Sequence, residues 1–394
     1  MFTVILVAIG YIAASIYIGV HVGKWLRAYE TRGHFWSSFF LVLYGICALT
    51  PVVSGIVPET FPFYRFLKVF SNWQMAAMLY AGLSVIVCDI IALIGRITLK
   101  KPLFRRRTLT RAVGLTSFLF VVGILVFGAY KANQLKVSTY DVDIVKKAGN
   151  VRELKIVAVS DTHFGYNAGV KRAEKLVKAI KEARPDLVLL LGDTFDNNFD
   201  AIEKPDEIAA LFASIKSTYG TFAIWGNHDY NENLFMGFTS GAGNNPDDSE
   251  YKAFFQKAKI TVLQDESLLI DDSFYLIGRE DPGRASKFKK ERKKTGELTK
   301  DLNENLPVIC MDHQPKEYDM LAAAGVDLDL SGHTHGGQMF PGNLFTGAMF
   351  QNDAGLLKVR NMTTLTTSGA GVWGPPVRIG TESEIMVINV KFMP

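Results

Sequence analysis

Five of the seven histidines in this 394-residue sequence lie beyond residue 150, all in short motifs rich in aspartate and glycine. The motifs are Asp161-Thr-His163, Gly192-Asp193-Thr-Phe-Asp196, Gly226-Asn227-His228-Asp229, Asp312-His313 and Ser331-Gly332-His333-Thr-His335-Gly336-Gly337-Gln338. Imidazole, carboxylate and amide donors without thiolate suit borderline divalent metals such as Mn, Fe or Zn. The Asp-x-His and His-x-His spacings are expected to aim two donors to the same side of a short extended turn. Glycines beside them let the backbone pass close to a metal or a phosphate. One Asp-x-His is ordinarily just a turn. The whole set in one chain, each motif after an apolar run, points to a single assembled site.

Rigid elements must hold those motifs. Lys155–Ser160, Leu187–Leu191, Thr221–Trp225, Pro307–Met311 and Val326–Leu330 are predicted strands that run directly into them. Ser273–Ile277 and Ile385–Val390 are further predicted strands. Val170–Ala183, Glu203–Ile215 and Glu317–Ala324 have helical periodicity. Strands alternating with helices predict an α/β domain, whose sites form in loops at strand ends. The strand-rich tail adds a mixed sheet or sandwich.

The first 130 residues differ in kind. Four apolar stretches, Phe2–Val22, Phe35–Val57, Trp73–Ile94 and Ala112–Tyr130, each approach the length of about 20 residues that spans a bilayer. The first lacks a basic leading region and is read as an uncleaved span. Trp25, Trp36, Tyr44, Trp73, Tyr80 and Tyr130 are expected mostly as interfacial anchors. Residues 1–130 carry a net +9 and the remainder −5, so the soluble half is too acidic for nucleic-acid binding. Arg96, Lys100, Lys101, Arg105, Arg106, Arg107 and Arg111 cluster between spans three and four, against Arg65 and Lys68 between spans two and three. The positive-inside rule makes the first cluster cytoplasmic, with both termini and the soluble domain extracytoplasmic. Lys24, Arg27 and Arg32 share the cytoplasmic side. Pro51 is expected to kink the second span, and Asp89, inside the third, to pair with the basic loop. Cys47, Cys88 and Cys310 show no disulfide or metal spacing. Arg284–Lys294, with seven basic residues and one acidic, is read as a solvated helix face or a contact with anionic lipid.

The order Asp-x-His, Gly-Asp-x-x-Asp, Gly-Asn-His-Asp, a lone His and Gly-His-x-His resembles the calcineurin-like metallophosphoesterase superfamily, over about residues 153–392. Gly332–Gln338 and the tail Gly371–Gly380 are similar to its membrane-anchored branch, the transmembrane proteins with a metallophosphoesterase domain. The resemblance implies an α/β four-layer sandwich over 153–394, two mixed β-sheets flanked by helices. A linker and first strand region at 131–152 would join it to an all-α four-helix transmembrane bundle over 1–130. It also implies two divalent metal ions. Asp161, His163 and His335 would hold the first, Asn227, His313 and His333 the second, and Asp193 would bridge them. Two cations about 3.5–4 Å apart can share a hydroxide that attacks phosphorus in line, here in a phosphodiester, monoester or pyrophosphate. His228, next to a ligand, is expected to contact phosphate with Asn227 and to protonate the leaving alkoxide, oriented by Asp229. Asp196 is expected to support the Asp193 loop and Asp312 to partner His313. Arg378 is a candidate phosphate contact, because its fork matches phosphate oxygens.

The expected protein is therefore a hydrolase of the plasma (inner) membrane. Its expected partners are a phosphate-ester substrate, with lipid- and envelope-linked esters among the candidates, and membrane lipids, with no obligate protein partner. A membrane sensor or transport-associated protein that only binds ligand is the alternative. It would tolerate loss of metal ligands, yet all seven are present. A purely structural metal site would not need His228.

Overall fold

The computed structural model describes residues 2–31, 33–98, 107–232, 234–235, 238–239 and 246–393. Arg32, Lys100, Lys101, Arg105 and Arg106, five of the cations behind the expected orientation, lie outside them. The chain divides into two compact units, one holding the four N-terminal helices and the other beginning at Lys131.

In the first unit, α1 (Phe2–Tyr29), α2 (Phe35–Ser54), α3 (Tyr64–Thr98) and α4 (Arg107–Asn133) are each long and apolar enough to cross a membrane. Large apolar side chains such as Ile16, Phe39, Ile90 and Phe118 face outward, as they must where the solvent is hydrocarbon. Pro51 does not end α2. The carbonyl it would have left orphaned, that of Cys47, accepts the Thr50 hydroxyl at 2.7 Å. Tyr44 and Tyr80 are not interfacial anchors. Tyr80 is buried, and Tyr44 donates to the Ser15 carbonyl at 2.7 Å, because both sit mid-helix once the helices are drawn at full length. Among the described residues, Asp89 pairs with α1. The Tyr17 hydroxyl donates to it at 2.6 Å, and His21 Nε2 lies 3.1 Å away.

The second unit begins with β1 (Leu135–Ile144) and β2 (Glu153–Val159), followed by α5 (Val170–Ala183), β3 (Leu187–Leu191), α6 (Pro205–Ala213) and β4 (Thr221–Ile224). A short hairpin, β5 (Leu234–Phe235) and β6 (Phe238–Thr239), which groups with the first unit, precedes α7 (Ser249–Lys257), β7 (Thr261–Val262), β8 (Glu266–Ile270) and β9 (Phe274–Gly278) of the second. Next come α8 (Pro282–Lys287), α9 (Thr295–Thr299), β10 (Val308–Met311), α10 (Tyr318–Ala323) and β11 (Leu328–Ser331). The chain finishes with α11 (Gly342–Met349), β12 (Gly355–Val359), β13 (Met362–Thr366) and β14 (Ser383–Phe392). Two six-stranded mixed sheets result, ordered β1-β14-β2-β3-β4-β7 and β12-β13-β11-β10-β9-β8.

Alternation along the central strands explains the layers. In β3, Leu187, Leu189 and Leu191 pack between the two sheets, against residues such as Ile309, Met311 and Leu330. Val188 and Leu190 point the other way, onto Leu176 and Ile180 of α5 and Phe212 of α6. Val308 and Cys310 of β10 likewise face outward, toward Leu298 and Leu321. A strand covered on both faces is apolar throughout, which is why these runs read so clearly in the sequence. The architecture is helices, sheet, sheet, helices. Its parallel strands β2, β3, β4, β10 and β11 deliver their motif-bearing loops to one end.

Candidate metal centre

Five donor residues leave their strands with left-handed backbone: Asp161 (φ 55°), His163 (45°), Asp193 (49°), His333 (72°) and His335 (52°). The turns are therefore not extended, as the spacing alone implies, but coiled. Such conformations are sparsely populated for residues with a Cβ and persist only where the surroundings enforce them. Backbone ties between the loops do this. Asp161 N–H donates to Gly192 O at 3.0 Å, His163 N–H to Asp193 O at 3.2 Å, and Gly371 N–H to Asp161 O at 2.7 Å. Two glycines allow the loops to meet. A Cβ on Gly226 would fall 2.1 Å from Asp193 Oδ1, and one on Gly332 would fall 2.5 Å from Asp161 Oδ2.

Two donor groups result, the buried Asp161–His163–His335 and Asp193–His313–His333, in which His333 is half-buried, each with ligand atoms within 4.8 Å of one another. In the first, the Nε2 atoms of His163 and His335 are 3.1 Å apart, and His335 Nε2 is 3.5 Å from Asp161 Oδ1. In the second, His313 Nε2 lies 3.1 Å from Asp193 Oδ2, 3.2 Å from Asn227 Oδ1 and 3.3 Å from His333 Nδ1. Asp193 Oδ2 is also 3.9 Å from His163 Nε2, so one carboxylate oxygen faces both groups. His333 and His335 fall in different groups.

The donor chemistry fits divalent cations. His313 Nδ1 is tied to Leu191 O at 2.8 Å, which makes it the donor nitrogen and turns the Nε2 lone pair toward Asp193, Asn227 and His333. The oxygens of Asp193 and Asn227 can only accept, and they repel that lone pair unless something positive sits among them. Burial opposes charge on His313, but neighbouring Asp193 overrides it and its pKa is pushed well above the ordinary value. One proton can satisfy one acceptor there, whereas a cation would satisfy all of them.

His228 belongs to neither group. Its ring lies 5.2 Å from that of His163 and 5.9 Å from that of Trp373. Its orienting partner is not Asp229 but Asn197, whose Oδ1 meets His228 Nδ1. Asp229 is spent on backbone: Oδ1 accepts from Phe195 N–H at 2.9 Å and Oδ2 from Gly226 N–H at 2.8 Å. Burial, with Asp193 near, raises the Asp229 pKa to about 7. Asp229 thus ties the Asp193 loop to the Asn227 loop. Asp196 Oδ1 flanks His163 Nδ1 at 3.7 Å and is in neither donor group. Asn197 and Trp373 were missed by sequence reasoning. Asn197 adjoins a recognised motif, but no spacing rule marks which loop amide reaches His228.

Three further expectations need correction. Arg378 is not placed to contact phosphate. It is fully buried, and its three nitrogens donate to backbone carbonyls including Ser368 (2.6 Å), Gly371 (2.8 Å) and His335 (3.2 Å), fastening the tail loop beneath the first donor group. Asp312 does not partner His313; it pairs with Arg279 at 2.7 Å and with Arg292. The basic segment is not simply a solvated face or a lipid contact. Arg284 is buried, paired with Glu280 at 2.7 Å and with Asp248, and stacked 4.5 Å over Trp225. Lys289 and Lys290 of that segment remain exposed.

The family model for calcineurin-like phosphoesterases matches residues 154–337. An uncharacterized metallophosphoesterase of Campylobacter jejuni is 28% identical over 375 residues, covering 90% of this chain and 91% of its own length. An uncharacterized metallophosphoesterase of Helicobacter pylori is 29% identical over 295 residues, 73% of this chain and 72% of its own. A Bos taurus protein named transmembrane protein with metallophosphoesterase domain is 26% identical over 376 residues, 91% of this chain and 78% of its own. The match spans every strand-end motif from Asp161 to Gly337, and the relatives extend the likeness across the apolar helices. This chain carries a calcineurin-like metallophosphoesterase domain behind four apolar N-terminal helices.

Proposed function

We propose that this chain hydrolyses a phosphate ester at a dinuclear site, with Asp161, His163 and His335 holding one cation and Asn227, His313 and His333 the other. The observation that carries this reading is the shared carboxylate, Asp193, whose Oδ2 faces His313 and His163 together. When bound, the two cations would supply Lewis acidity toward phosphoryl oxygens and acidify the attacking water. The remaining work falls to the chain's own side chains. Asn227 contributes no charge, leaving the site more attractive to an anionic ester. His228 stands beside the donor groups, and with Nδ1–H held by Asn197 Oδ1 its imidazolium, which burial disfavours, would pass the Nε2 proton to the leaving oxygen. Trp373 gives the leaving group an apolar neighbour. Four apolar helices and relatives named as transmembrane proteins support a substrate met at a membrane, a lipid- or envelope-linked phosphodiester, monoester or pyrophosphate.

Purified full-length protein given Mn should hydrolyse para-nitrophenyl phosphate or its bis ester, and chelation should abolish this reversibly. Well-folded, metal-loaded protein inert toward both would favour a ligand sensor instead.

His228→Ala should keep its metal and lose turnover by about 10²–10⁴-fold, the usual worth of a general acid. Asp193→Ala should lose metal as well as activity. Metal analysis of the two variants separates the roles; equal metal loss in both would contradict the division.

The proposed orientation puts the domain on the extracytoplasmic side of the inner membrane, on the strength of loop charge. Protease added to intact cells or spheroplasts should cut beyond Lys131 and spare the loop after α3. Protection of the domain until the membrane is permeabilised would reverse the orientation and leave the metal chemistry untouched.

A further inference from the structure

Within the helical unit, α1, α2 and α3 pack closely on one another, while α4 lies across a cavity of 420 Å³ from them. That volume is within the range of small-molecule sites, about 300–1,000 Å³. Small side chains create it: Ala77, Ala81 and Ser84 on α3 look toward Gly114 and Ser117 on α4. Trp25 and Tyr29 of α1 form the wall at one end. A Cβ on Gly114 would lie 2.7 Å from that of Trp25, so α4 touches α1 here and leaves the gap alongside. In hydrocarbon solvent no hydrophobic force closes such a gap. Its lining lacks dispersion partners until an apolar chain enters.

The wall at Tyr29 is also cationic. Arg111 lies over the Tyr29 ring, 5.5 Å from its centroid. Arg111 Nε and Arg107 Nε both donate to the Ala28 carbonyl, at 2.6 and 2.8 Å, which brings two guanidinium groups to one point at the end of α1. Lys24 and Arg27 are exposed on the same turns. The nearby carboxylates are already engaged, Glu30 by Ser37 at 2.6 and 2.8 Å and Asp89 by Tyr17 and His21. An apolar cavity with a cationic mouth matches an amphiphile with one hydrocarbon chain inside and an anion at the rim. We propose that this cavity is a binding site for one anionic glycerophospholipid, an acyl chain lying among Ala81, Ser84 and Ser117 and the headgroup phosphate meeting Arg107 and Arg111. The site is separate from the metal centre and does not rest on the phosphoesterase reading.

Full-length protein in detergent, incubated with equimolar phosphatidylglycerol and phosphatidylcholine of matched chains and then delipidated, can be read by native mass spectrometry. One phosphatidylglycerol should be retained over phosphatidylcholine by about tenfold or more, the scale of two basic side chains against an anionic headgroup. Ala81→Phe, which fills the cavity, should remove retention of both lipids, and Ser84→Leu should do the same if Ala81→Phe fails to fold. Arg111→Gln should erase the preference while lipid is still retained. Val122→Phe, at a lipid-facing position on α4, should change neither. Equal retention of the two lipids by the unaltered protein would overturn the proposal. So would undiminished retention in both folded cavity-filling variants.

Discussion

The second unit is organised around an electrostatic conflict. Asp193 Oδ2, Asn227 Oδ1, His333 Nδ1 and His313 Nε2 converge within hydrogen-bonding distance, with His313 Nδ1 already committed to the Leu191 carbonyl. Burial deprives these groups of water, so whatever repulsion a single proton on His313 leaves unrelieved is strong. A protein that only needed to fold would place leucines there. Retaining the donors makes sense if positive charge occupies their midst in the working protein, and Asp193 extends the same demand to His163 and the first group.

Much of the surrounding structure serves to hold that arrangement. Left-handed residues coil the loops so that consecutive donors face inward, Gly226 and Gly332 permit contacts that a Cβ would forbid, and Asp229 and Arg378 spend their polar atoms on loop backbone. The two-sheet core supplies rigidity. Leu187, Leu189 and Leu191 lock β3 against β10 and β11 on one side, and Val188 and Leu190 lock it against α5 on the other, so the loops that leave these strands inherit fixed positions. In the helical unit the solvent changes and so do the rules, with outward-facing Ile and Phe and polar pairs such as Ser54–Ser71 turned inward.

The central strands and the donor residues were legible because two-sided burial makes apolar runs continuous and because metal donors follow them at fixed offsets. Helix α5 was expected over the same residues it occupies, since its amphipathic repeat is set by one buried face. What was not legible depended on long-range approach. The strand pair β12–β13 is half exposed along β12 and carries no distinctive pattern. Arg378 and Arg284 look like surface cations in sequence, and only the fold reveals that carbonyls and carboxylates surround them. The exchange of Asp229 for Asn197 beside His228 has the same origin, since it turns on which loop side chain reaches the ring.

The dinuclear reading of the Asp193 cluster is the claim on which the chemistry depends. Electron paramagnetic resonance of the Mn-loaded full-length protein tests it directly. Two Mn ions bridged by one carboxylate at about 3.5–4 Å should give an exchange-coupled signal. A saturating six-line signal from a single isolated Mn per chain would contradict it.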